Sequence, residues 1–75
     1  MTIEEASRWL YERGAMKSGD NRIHANVDKG FSITGDIEWY KYSAFLSVGD
    51  ERYAAFGDSA EDAANKVLTK YLRGA

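Results

Sequence analysis

The sequence predicts a single α+β domain, residues 1–75, in the order α-β-β-(β)-β-α. The expected form is an antiparallel sheet of three or four strands with two helices packed on one face. Two observations at the chain ends support this: apolar residues recur there at helical spacing, each time behind a capping signal. A third lies in the middle, where β-branched and aromatic residues alternate with polar ones between Gly-Asp pairs.

Thr2 and Glu5 have the spacing of a capping box, in which each side chain satisfies the other residue's free backbone N–H. Ile3, Ala6, Trp9, Leu10 and Arg13 follow at helical intervals, and Gly14 offers the left-handed position that ends helices. These residues predict a first helix over 3–13. Residues 14–20 are a loop by composition. From Arg22 to Val27 the chain alternates, with Ile23, Ala25 and Val27 on one face and Arg22, His24 and Asn26 on the other, which predicts a half-buried strand.

Asp28-Lys29-Gly30 predicts a turn, and residues 31–34 a second strand. Gly35-Asp36 fits either a bulge or a turn, so the strand count stays open at three or four. Residues 37–48 predict the longest strand, with Gly49-Asp50 as a hairpin turn and residues 52–56 returning. A three-residue loop at Gly49-Asp50-Glu51 gathers Tyr42, Ala44, Leu46, Val48, Ala54 and Phe56 on one apolar face. It leaves Trp39, Lys41, Ser43, Phe45, Ser47, Tyr53 and Ala55 on the other. A two-residue loop pairs Phe45's face with Phe56 and Leu46's face with Tyr53. The three-residue loop is preferred because one face is then consistently apolar. Ser59 and Asp62 predict a second box, opening a helix with the stripe Ala60, Ala63, Ala64, Val67, Leu68, Tyr71 and Leu72. Acids lead this helix and Lys66, Lys70 and Arg73 follow, the order its dipole favours, and Gly74 ends it.

Composition excludes several functions. There is no cysteine, and His24 is the only histidine, so a structural zinc site is not expected. No apolar run approaches the roughly 20 residues that span a bilayer, and the acidic start differs from a signal peptide. A cytoplasmic protein of a bacterial cell is expected. His24 has no nucleophile or acid at a triad spacing, and paired carboxylates such as Asp36 and Glu38 lack an evident cleft, so no enzyme is expected. The Gly-Asp pairs lack the alternating acids of a calcium loop and the motifs of a phosphate cradle, so no cofactor is expected.

Charge is unevenly distributed. Residues 28–62 hold eight acids against three bases, whereas the two ends together hold seven bases against four acids. The acidic stretch also contains Phe31, Trp39, Tyr40, Tyr42, Phe45, Tyr53 and Phe56. This pattern predicts a docking surface with Trp39, Phe45 and Tyr53 as anchors and Asp36, Glu38, Asp50 and Glu51 around them. Its expected partner is a larger protein or nucleoprotein with a basic surface.

Two resemblances follow from these residues. The element order, with Gly57-Asp58-Ser59 before Ala63, Ala64 and Val67, resembles the double-stranded RNA-binding domain, which implies a small nucleic-acid-binding module. Where that family carries lysines at the start of its last helix, this chain has Ala60, Glu61 and Asp62, so no binding residue carries over. The short, acidic, cysteine-free chain with its aromatic run Ile37-Glu38-Trp39-Tyr40-Lys41-Tyr42 is similar to small phage-encoded anti-CRISPR inhibitors. That likeness implies a non-enzymatic protein occluding a basic nucleic-acid-binding site of a bacterial defence complex. A homodimeric structural or regulatory module remains a third expectation.

Overall fold

The computed structural model describes residues 1–18, 22–30, 32–33, 36–37 and 41–74. It is an α+β fold: helix α1 (Ile3–Ser18), strands β1 (Ile23–Lys29), β2 (Ser32–Ile33), β3 (Asp36–Ile37), β4 (Tyr42–Val48) and β5 (Glu51–Gly57), then helix α2 (Ala60–Gly74). The main sheet is antiparallel, three-stranded and ordered β1-β4-β5, while β2 and β3 form a separate two-stranded sheet. Both helices lie on one face of the main sheet, α1 against β1 and α2 against β4 and β5, and they touch each other.

Both caps form. Thr2 N–H donates to Glu5 Oε1 at 3.0 Å, and Glu5 N–H donates to Thr2 Oγ1 at 3.1 Å. At the second helix Asp62 N–H donates to Ser59 Oγ at 3.0 Å, and the Asp62 carboxylate reaches back to Asp58 N–H at 3.1 Å. The return bond therefore goes to the residue before the cap.

Four expectations are corrected. The first helix continues through Gly14 to Ser18. Gly14 is buried inside it because a methyl there would stand 3.1 Å from Leu46 Cδ1 and 3.8 Å from Ile23 Cγ2. The glycine lets the helix approach the sheet closely, and it does not stop the helix. Residues 37–48 are not one strand: Asp36–Ile37 pairs with Ser32–Ile33, and β4 begins at Tyr42. Ile33 pairs antiparallel with Asp36, and Gly35 lies outside the described residues. β1 runs through Asp28 and Lys29, paired with Ser43 and Tyr42, and Gly30 with φ 97° takes the turn conformation.

The fourth correction sets which β5 side chains share the sheet face turned away from the helices. Val48 pairs with Glu51, so the hairpin loop is two residues, Gly49-Asp50, with Gly49 at φ 60°. Tight two-residue hairpins use mirror-image turns whose twist matches the strands, and a glycine supplies the positive φ. That local geometry outweighs the tidier apolar face offered by a three-residue loop. It sets Leu46 opposite Tyr53, Ala44 opposite Ala55, and Phe45 opposite Ala54.

The core lies between sheet and helices: Ala6, Leu10, Ile23, Val27, Ala44, Leu46, Val48, Ala55, Ala60, Ala63, Ala64, Val67 and Tyr71 are buried. Alanines along α2 and at Ala55 bring the helix close to β5. Side chains from the helices also guard the sheet edges. Ser7 Oγ accepts from Val27 N–H at 2.9 Å while donating to Ile3 O, and Lys70 Nζ donates to Ala54 O at 2.8 Å. Covering edge groups in this way discourages strand-to-strand aggregation.

Candidate protein-binding surface

Side chains of successive strand residues point to opposite faces, so register defines the face turned away from the two helices. Its rows are His24–Ser47–Arg52, Asn26–Phe45–Ala54 and Asp28–Ser43–Phe56. Phe45 stands in the central row of the central strand and is 39 % exposed; Phe56, one row away on β5, is 48 % exposed. Asn26 Nδ2 donates to Asp28 Oδ2 at 2.8 Å along the β1 side of this face. Ser47 is buried, flanked in register by His24 and Arg52.

The anticipated anchors part company here. Phe45 lies on the open face as expected. Tyr53 does not: it shares Leu46's face, and its ring meets Tyr71 of α2 edge-on, with centroids 5.6 Å apart. Ala55 is likewise buried under the helices, whereas Phe56, assigned to the apolar face, stands on the open one. The two-residue hairpin inverts all four β5 assignments, Tyr53, Ala54, Ala55 and Phe56, at once. Trp39 and Glu38 lie outside the described residues. Asp36 belongs to β3 and thus to the separate two-stranded sheet.

The described carboxylates are not gathered around Phe45. The Asp50 side chain is 96 % exposed at the β4–β5 turn and lies 3.7 Å from Arg22 Nη1. Glu51 accepts a hydrogen bond from Tyr53 O–H at 2.6 Å, which raises the phenol's pKa, because losing that proton would place two negative oxygens together. Asp28 lies at the far end of the sheet. Its row precedes the Val48–Glu51 row by five residues of β4, about 17 Å at the usual strand rise. The turn end is of mixed sign, since Arg22 and Arg52 accompany Asp50 and Glu51 there.

Structure thus brings together Glu51 with Tyr53, and Phe45 with Phe56. Phe56 and Ala54 are the members of the face that were expected on the other side of the sheet. Their signal was present in Gly49-Asp50, a dipeptide that fits a two-residue turn. Among the described residues, no three of His, Cys, Asp and Glu stand close enough to hold a metal ion. No described helix is long and apolar enough to cross a membrane. Comparison of the chain with family models, curated proteins and solved structures finds no match in any of them.

Proposed function

We propose that this chain is a non-enzymatic binding domain that docks on a larger protein through the open face of its sheet. Phe45 and Phe56 are the anchors. The observation that carries the reading is an aromatic ring at the centre of a strand face that neither helix covers. Rings supply much of an interface's energy when desolvated at its centre, and here the surrounding Asn26, Ser43 and Ala54 offer a small, flat surround. The use assigned to this docking is inhibition, by occluding a basic nucleic-acid-binding site of a bacterial defence complex as anti-CRISPR proteins do. That part rests on the chain's formal charge of −2 and its acidic central stretch, not on a carboxylate cluster.

Affinity capture from bacterial lysate tests it, comparing the wild type with a Phe45→Ser, Phe56→Ser double variant whose fold is checked by circular dichroism. A captured protein should disappear from the double variant, and its own nucleic-acid binding should be blocked at one equivalent of the wild type. A double variant that captures the same protein equally well removes the proposed surface. Captured protein that still binds nucleic acid normally removes the inhibitory role alone.

A further inference from the structure

A second surface lies at the β5 edge, where Ala54, Ala55 and Phe56 form one wall of a groove and Asn65, Lys66, Thr69, Lys70 and Arg73 of α2 the other. Its charge is graded along its length. At the end near the start of α2, Lys41 pairs with Asp58, and Lys66 Nζ lies 3.1 Å from Asp62 Oδ2, so cations and anions balance. At the other end Lys70 donates to the neutral carbonyl of Ala54, and Arg73 is exposed. Among the described residues, neither Lys70 nor Arg73 has a carboxylate at salt-bridge distance. One turn of helix separates them, about 4.5 Å along the axis.

We propose that this groove binds a short, extended acidic segment of a partner protein. One carboxylate sits against Lys70 and Arg73, and an apolar side chain lies on Ala54 and Phe56. Charge complementarity selects an anion, and the apolar wall selects a chain with side chains to bury. A nucleic acid strand fits less well: such binding gains by neutralising many phosphates at once, whereas among the described groove residues two cations, Lys70 and Arg73, stand without a carboxylate at salt-bridge distance, and Lys41 and Lys66 are already matched by Asp58 and Asp62. Strand addition is also disfavoured, because Lys70 already occupies the Ala54 edge carbonyl. The segment is therefore held by its side chains.

The test is an amide-resolved NMR titration of the whole chain with a synthetic peptide of alternating glutamate and leucine. A glutamine–leucine peptide and a single-stranded oligothymidylate serve as comparison arms. Saturable shifts are expected at Ala54, Phe56, Thr69, Lys70 and Arg73. Affinity should fall about fivefold or more in the Lys70→Glu, Arg73→Glu variant, given the modest strength of exposed ion pairs, and to a similar extent with the glutamine peptide. Arg73→Glu alone, at an exposed helix end, keeps the comparison valid if the double variant is unstable. Phe45→Ala should leave the shifts at Thr69, Lys70 and Arg73 unchanged, which shows that the α2 wall of the groove acts without Phe45 even though Ala54 and Phe56 belong to both surfaces. The proposal is overturned by absent shifts, by equal binding of the glutamine peptide, by unaffected charge-reversed variants, or by an oligothymidylate that binds these residues more tightly than the acidic peptide.

Discussion

A methyl group added at Gly57 would stand 2.5 Å from the backbone nitrogen of Ala63 and 2.6 Å from Asp62 Oδ2. Backbone cannot withdraw without dragging the α2 cap with it, so Gly57→Ala should destabilise by roughly 2 kcal/mol or more, read from urea midpoints. Gly14→Ala poses a milder conflict. Alanine gains about 1 kcal/mol of helix propensity there, but the methyl meets Leu46 Cδ1 at 3.1 Å, and Leu46 is 0 % exposed with little room to move. The two effects should nearly cancel, and Gly57→Ala should be clearly the worse of the pair; the reverse order would contradict the packing described. Neither role was legible in the sequence. Gly14 after a helical stripe looks like a stop because the local pattern contains no trace of the strand that crosses beneath it.

The caps show how charge and helix ends are coupled at the scale of elements. The carboxyl of Glu5 is held below the ordinary range chiefly by the Thr2 backbone N–H, and that of Asp62 chiefly by the Asp58 backbone N–H, with Lys66 assisting. A carboxylate whose pKa is lower folded than unfolded stabilises above its unfolded value, because the unfolded chain then binds the extra proton first. The contribution is therefore full at neutral pH and lost as the pH falls below about 5 through the depressed values. Asp62→Asn should flatten the acid limb of the stability curve measured by urea unfolding, whereas an unchanged acid limb would show that the cap carries no titration. Ser59→Ala should cost about 1 kcal/mol. These caps were legible because they depend on residues three or four apart. The hairpin was only half legible: its position was fixed by Gly49-Asp50, but two loop lengths competed. Surface tidiness favoured one and turn geometry the other.

Across the whole molecule, the consequence of that turn is a sheet with one side under the helices and one side that neither helix covers. The element order and most of the core could be read from periodicity, since Leu10, Val27, Leu46 and Val67 each sit on an apolar phase and each is fully buried. The surface could not, because exchanging the faces of a single strand moves Tyr53 under α2 and brings Phe56 out, with no change in composition. Stability should follow the faces. Leu46→Ala should cost about 2–5 kcal/mol, and Phe45→Ala well under the 3–5 kcal/mol of a buried phenylalanine; equal losses would place Phe45 in the core. The most direct measurement is a nuclear Overhauser spectrum of the hairpin. Phe45 and Ala54 form a closely spaced, non-hydrogen-bonded pair in the two-residue register, so their Hα protons should give a strong cross-peak. The Tyr53 ring should contact Tyr71. A strong Leu46–Ala54 contact in its place, with the Tyr53 ring beside Phe45, would contradict the account.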